Sequence, residues 1–177
     1  MKTLLLLRHA KSSWSDPSLD DFDRPLNERG RRAGLTMGKF LKDKGPLPGL
    51  IICSSAKRAR QTLKRLQKAI GEKIPVRFED GLYMASPKKM LNILKQADDA
   101  QASVMLIGHN PGMHMLALDL ADTGEDGAME RMRDKYPTAA LAALTCGCER
   151  WRDFGACRLD SFIRPKDVEM GDLEERG

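Results

Sequence analysis

Three short polar segments in this chain each follow directly on an apolar run. Arg8-His9-Ala10-Lys11-Ser12 follows Leu4–Leu7, Ser54-Ser55-Ala56-Lys57-Arg58 follows Leu50–Cys53, and Gly108-His109-Asn110-Pro111-Gly112 follows Ser103–Ile107. A neutral imidazole is a nucleophile. A histidine next to an arginine is disfavoured as imidazolium because like charges repel, so His9 is expected to titrate below about 6.5 and to stay neutral at neutral pH. Guanidinium groups grip the equatorial oxygens of a phosphoryl group in pairs and stabilise the charge that spreads over them in the transition state. Histidine plus arginine therefore suits covalent phosphoryl transfer through a phosphohistidine on His9.

Those segments need elements to bring them together. Thr3–Leu7, Leu50–Cys53, Ile74–Phe78, Ser103–Ile107 and Thr138–Thr145 read as strands, with one or two more between Trp151 and Ile163. Between them lie amphipathic stretches. Asn27 can cap a helix whose apolar stripe is Ala33, Met37, Phe40 and Leu41, stopped by Gly45-Pro46. Ser54-Ser55 can cap a second, with Ala59, Leu63, Leu66 and Ile70 on one face and Gly71 at its end. Met90, Ile93, Leu94 and Ala97 mark a third, and Met113, Leu116, Ala117, Leu120 and Ala121 a fourth. A short helix fits the charged stretch from Asp122 to Pro137. Strand–helix alternation predicts an α/β fold, a three-layer α/β/α sandwich with a mostly parallel central sheet. Ligands of such sheets sit beyond the carboxyl ends of the strands, where all three polar segments fall.

The 177 residues suit one domain, expected over residues 1–165, followed by an acidic tail over 166–177 that is expected to fray. The formal charge of +5 favours an anionic partner without choosing one, and the cations are dispersed, so no specific nucleic-acid binding is expected. The apolar start, Leu4 to Leu7, is too short for a signal core or a span, which predicts a cytoplasmic protein with no membrane association. Cys53, Cys146, Cys148 and Cys157 lack C-x-x-C spacing. Cys146, Cys148 and Cys157 could form part of a zinc site, but reduced structural thiols are the better expectation.

Leu7-Arg8-His9-Ala10 resembles the Arg-His-Gly signature of the histidine phosphatase superfamily, with Ala10 in place of its glycine. Ser54 to Thr62 and Ile107 to Gly112 resemble that superfamily's second phosphate-pocket and second-histidine segments. Lys11-Ser12, Asp23-Arg24-Pro25-Leu26, Leu82-Tyr83-Met84-Ala85 and Tyr136-Pro137-Thr138-Ala139 are similar to its SixA-type branch, the protein phosphohistidine phosphatases. The resemblance runs from Leu4 to about Pro165 and implies a phosphoglycerate-mutase-like fold. It also implies His9 as the residue phosphorylated, Arg8 and Arg58 as phosphate clamps, and His109 as a donor to a non-bridging oxygen. Ser12 and the amide after His109 are further candidate donors. No cofactor and no metal are implied.

Many phosphomonoesterases of this superfamily carry a carboxylic acid after the third strand, where this chain has Leu82-Tyr83-Met84. Met84 cannot protonate a leaving group. Glu79 and Asp80, just before it, are the candidate general acids. An alkoxide leaving without an acid loses roughly 10²–10⁴ in rate, whereas an imidazole departs readily once its ring carries a proton. The expected substrate is therefore phosphohistidine in a protein. The alternatives are a small phosphorylated substrate, with Glu79 or Asp80 as acid, and a catalytically weak phosphate-binding module. A monomer is expected. Arg60, on another face of its helix from Arg58, is expected outside the pocket. Lys11 is either an aid to phosphate capture or a solvated lysine. His114, Trp14, Tyr83 and Trp151 are expected in packing or rim roles.

Overall fold

The computed structural model describes residues 1–174. Its centre is a seven-stranded sheet in the order β3-β2-β4-β1-β6-β7-β5. The strands are β1 (Lys2–Arg8), β2 (Leu50–Ser54), β3 (Val76–Glu79), β4 (Ser103–Gly108), β5 (Ala121–Gly124), β6 (Leu141–Cys146) and β7 (Cys157–Ile163). The helices are α1 (Glu28–Asp43), α2 (Lys57–Ile70), α3 (Pro87–Leu94), α4 (Gly112–Leu120), α5 (Asp126–Asp134) and α6 (Pro165–Glu174). β1 pairs parallel with β4 on one side and antiparallel with β6 on the other. Pairings β2–β3, β2–β4 and β5–β7 are parallel and β6–β7 antiparallel, so the sheet is mixed but mostly parallel.

Period-two alternation in β1 explains the layering. Leu4 and Leu6 join one core cluster, with side chains of α3, α4 and α5; Leu5 and Leu7 join the other, with those of α1 and α2. All four leucines are fully buried, each a contribution of about 2 kcal/mol. A strand sunk between two layers needs apolar residues on both faces, which is why this run shows no polar alternation.

Asn27 caps α1 as expected, its Oδ1 accepting from Gly30 N at 2.8 Å. Gly71 ends α2 at φ 81°, a left-handed conformation that glycine adopts without steric cost. Six expectations need correction. The strand expected over Thr138–Thr145 runs from Leu141 to Cys146, and Ala97 lies beyond the third helix, which ends at Leu94. Ala56, not Ser54 or Ser55, occupies the N-cap of α2, and no side chain caps it. The third strand starts at Val76 rather than Ile74. Ala121, expected at the end of α4, opens a short strand paired with β7. The acidic tail does not fray over residues 166–174: α6 starts at Pro165, and an Arg164–Asp167 ion pair of 2.7 Å ties its first turn. Val168 packs on the α1–α2 cluster. Residues 175–177 lie outside the described residues.

Candidate active site

The carboxyl ends of β1, β2 and β4 converge on a cleft of about 310 Å³ lined by Arg8, His9, Ser12, Asp21, Arg58 and His109, among others. His9 follows β1 and is held by its backbone: its N–H donates to Gly108 O (3.0 Å) and its carbonyl accepts from Ala139 N (3.1 Å). His9 Nδ1 lies 2.7 Å from Ala10 O. A carbonyl can only accept, so Nδ1 carries the proton and Nε2 presents a lone pair. Burial pushes His9 down to about 3 against the opposing pull of the Ala10 carbonyl, and His109, Arg58 and Arg8 add to the depression. The ring is neutral, as its neighbour suggested, but desolvation is the main cause and Arg8 the least of those acting. Ala10, where the resembling signature has glycine, is fully buried, and its N–H donates to Thr62 Oγ1 at 2.9 Å, tying the loop to α2.

Arg58 is 3% exposed in the first turn of α2. Its Nε–H reaches His9 Nε2 at 3.3 Å, while Nη1 donates to Asp21 O (2.6 Å) and Nη2 to Asp21 Oδ2 (3.0 Å). Asp21 sits in a 3-10 turn, Asp21–Asp23, and also accepts from Tyr83 OH (2.6 Å) and Arg24 Nη1 (2.8 Å). The Tyr83 hydrogen bond, with those from Arg24 and Arg58, holds the Asp21 carboxyl down at about 2. Arg8 Nη1 donates to Tyr136 O (3.0 Å), while its Nε is buried without a partner. Burial, then the nearby Arg58 charge, lowers the Arg8 pKa. Arg58 has Asp21 as its counter-ion, whereas Arg8, among the described residues, has no carboxylate within ion-pair distance and is open to an anion.

His109 caps the end of β4, 1% exposed, its ring centroid 5.1 Å from that of His9. Its Nε2 lies 2.7 Å from Ser54 Oγ, and its Nδ1 is buried without a partner. Burial, then the charge of Arg58, pushes its pKa down to about 4. If Ser54 donates its hydroxyl proton to Nε2, Nδ1–H becomes a free donor; a bound anion selects that arrangement, since it can only accept. Arg8 Nε and His109 Nδ1 are thus two orphaned polar atoms on residues of the same cleft, an arrangement that phosphoryl oxygens would satisfy.

Ser12 lines the cleft and is buried, its Oγ accepting from Arg24 Nη2. Lys11 lines the rim, whereas Arg60 is exposed and absent from the lining. Glu79 and Asp80 are not brought to the cleft. Glu79 Oε1 accepts from Gly81 N (3.0 Å), and Asp80 Oδ1 accepts from Ser55 Oγ. Both carboxylates are spent on the turn after β3. Met84 lines the cleft at φ 48°. Sequence reasoning missed Asp21, the partnership of Ser54 with His109, and the role of Arg24, whose guanidinium lies 3.2 Å over the exposed Trp14 ring. Asp23-Arg24-Pro25-Leu26 was the one local signal pointing at that loop. His114 Nε2 donates to Met132 O at 2.7 Å, a packing role, and Trp151 is fully buried. Among the described residues the cysteines are free thiols, and no group of three or more His, Cys, Asp or Glu side chains is placed to hold a metal ion. No helix among them is long and apolar enough to cross a membrane.

A neutral histidine, two arginines and a second histidine stand at the carboxyl rim of an α/β sheet of the phosphoglycerate-mutase-like fold, an arrangement chemically suited to phosphoryl transfer. The chain belongs to the histidine phosphatase superfamily (branch 1), which it matches over residues 4–83. It is similar to an uncharacterized protein of Mycobacterium tuberculosis, 36% identical over 165 residues, covering 90% of this chain and all of that one. Among solved structures it resembles a protein assigned as phosphohistidine phosphatase SixA from Agrobacterium tumefaciens, at 32% identity and TM-score 0.79, covering 93% of this chain and 98% of that one. A second protein so assigned, from Nakamurella multipartitia, superposes with TM-score 0.80 at 27% identity, covering 93% and 96%. Family and neighbours together support a phosphatase.

Proposed function

We propose that this chain dephosphorylates phosphohistidine in a protein, through a covalent phosphohistidine on His9. The observation that carries the reading is the state of the one carboxylate lining the cleft among the described residues: Asp21 is held at about 2 and so is ionised at neutral pH. It has no proton to give an alkoxide. A phosphohistidine substrate needs none from the enzyme, because its ring, protonated on the distal nitrogen, leaves as neutral imidazole.

In this mechanism Arg8, Arg58 and His109 grip the non-bridging oxygens, and the His9 Nε2 lone pair attacks phosphorus. The bond from phosphorus to the substrate nitrogen breaks, and its electron pair stays with the departing ring. The new phosphoimidazolium keeps its proton on Nδ1, which donates to the Ala10 carbonyl. Water then attacks phosphorus, the P–Nε2 electrons return to His9, and phosphate and one proton are released. Ser12, held by Arg24, is a further donor at the rim. The free thiols among the described residues fit a cytoplasmic setting.

The test compares turnover of a phosphohistidine protein with that of a simple alkyl phosphate, alongside acid-labile ³²P labelling of His9. Preference for the phosphohistidine protein by 10² or more is expected, as is loss of label in His9→Asn. Comparable turnover of the two substrates would overturn the reading.

A further inference from the structure

A second cavity, of about 620 Å³, opens beside the phosphate cleft and shares Lys11 and Thr138 with it. Its walls come from Lys11 in the loop after β1, the start of α1, the segment from the end of α5 toward β6, and the start of α6. Six cationic residues line it, Lys11, Arg29, Arg32, Lys135, Arg164 and Lys166, against two carboxylates, Asp134 and Glu169. Arg164 is committed to Asp167. Among the described residues, no carboxylate lies within ion-pair distance of Lys11, Arg29, Arg32, Lys135 or Lys166. Unpaired cations gathered around one concavity focus a positive potential where an anionic ligand would sit.

We infer that this cavity receives carboxylates of an acidic segment flanking the phosphorylated residue of the substrate, so that the protein reads charge beside the phosphoryl group as well as the group itself. The inference rests on the protein-substrate reading above. Shape and chemistry favour a peptide segment over a second phosphate. The volume far exceeds one phosphate, the cations Lys11, Arg29, Arg32, Lys135 and Lys166 are exposed on long flexible stems, and they come from four separate stretches: the loop after β1, α1, the segment after α5, and α6. That dispersion suits several carboxylates spread along a chain. A compact phosphate is gripped instead by converging guanidinium groups, as Arg8 and Arg58 are placed to do. Because Lys11 and Thr138 belong to both cavities, one substrate can fill both.

The test uses Arg32→Gln/Lys135→Gln, neither residue being part of the phosphate cleft. A control makes the same charge change at Lys64 and Lys68, exposed residues of α2 outside both cavities. Fluorescent hexaglutamate is titrated at low ionic strength, and kcat/KM is measured on phosphohistidine peptides flanked by Glu or by Gln and on an aryl phosphate. Expected are roughly tenfold weaker hexaglutamate binding in the double variant, loss of the preference for the Glu-flanked peptide, and aryl phosphate turnover unchanged, the control behaving as wild type. Equal binding by wild type and double variant, equal weakening in the control, or binding of an alkane bisphosphate in place of hexaglutamate would overturn the assignment. If neither peptide is turned over while hexaglutamate binding still depends on Arg32 and Lys135, the cavity assignment stands and the phosphohistidine reading falls.

Discussion

His9 and His109 are buried neutral, which makes the fold sensitive to mild acid by an amount the site itself sets. The folded protein holds them at about 3 and about 4, against 6.5 for an ordinary histidine. Between pH 6.5 and those values the unfolded chain binds protons that the folded chain refuses, so stability rises with pH through this window. The contribution is fully present above 6.5 and is lost as pH falls toward the folded values. A pH of 5 is about 1.5 units below the unfolded value, so the loss there is about 2 kcal/mol for each histidine and about 4 kcal/mol for the pair. Asp21, also depressed, acts in the same direction only below its ordinary 3.8, outside the range measured. Urea unfolding of the phosphate-free protein at pH 7.5 and pH 5.0 reads the difference directly. His9→Asn removes one of the two groups and should shrink the pH-dependent loss by about 2 kcal/mol. An equal loss in wild type and His9→Asn would refute the account, because His9 would then titrate alike in the folded and unfolded chains.

Three further outcomes are expected. Arg58→Ala should lower kcat on an aryl phosphate by about 10²–10³, the usual cost of losing one preorganised donor, and Arg58→Lys should not restore it because an ammonium cannot reproduce the fork that now spans His9 and Asp21; steady-state kinetics reads both. A Cβ added at Gly30 would meet Lys11 O at 2.1 Å, so Gly30→Ala should cost about 1–3 kcal/mol or more, read as a fall in Tm of several degrees. Tyr136→Phe removes the hydroxyl that donates to Leu6 O at 2.6 Å and accepts from Ala142 N at 3.2 Å, and should destabilise by about 1–3 kcal/mol in urea unfolding.

The strands and helices that carry the cleft were legible because each has a local cause. Leu4–Leu7 is apolar on both faces, Asn27 is a cap, and Gly71 is a stop. The placement of His9 and His109 on one rim was legible because each follows an apolar run at the carboxyl end of a strand, whereas Arg58 was singled out by the resemblance of its segment. Asp21 was not. It lies in a polar loop beside Asp20 and Asp23, and only a fold that brings Arg58 and Tyr83 to that loop distinguishes it from them. Ser54 was read as a helix cap because serine before a helix does that job; its hydroxyl accepts from Ala56 N, before the helix, and its shorter contact is with His109, 55 residues away. The order in α6 had a signal in Pro165 at the helix start and Asp167 three residues after Arg164, but acidic composition outweighed it. Glu79 and Asp80 were sought for their chemistry, and turn geometry consumed both.

The contacts of Asp21 with Arg58 and Arg24 have a kinetic consequence. A carboxylate on a short tether competes for those guanidinium groups at an effective concentration on the order of millimolar. An incoming phosphoryl group must displace or share it, which weakens the capture of stray phosphate. When inorganic phosphate departs, the same carboxylate is at hand to take back the vacated donors. On the proposed function, Asp21 is thus a built-in competitor of phosphate for the donors of Arg58.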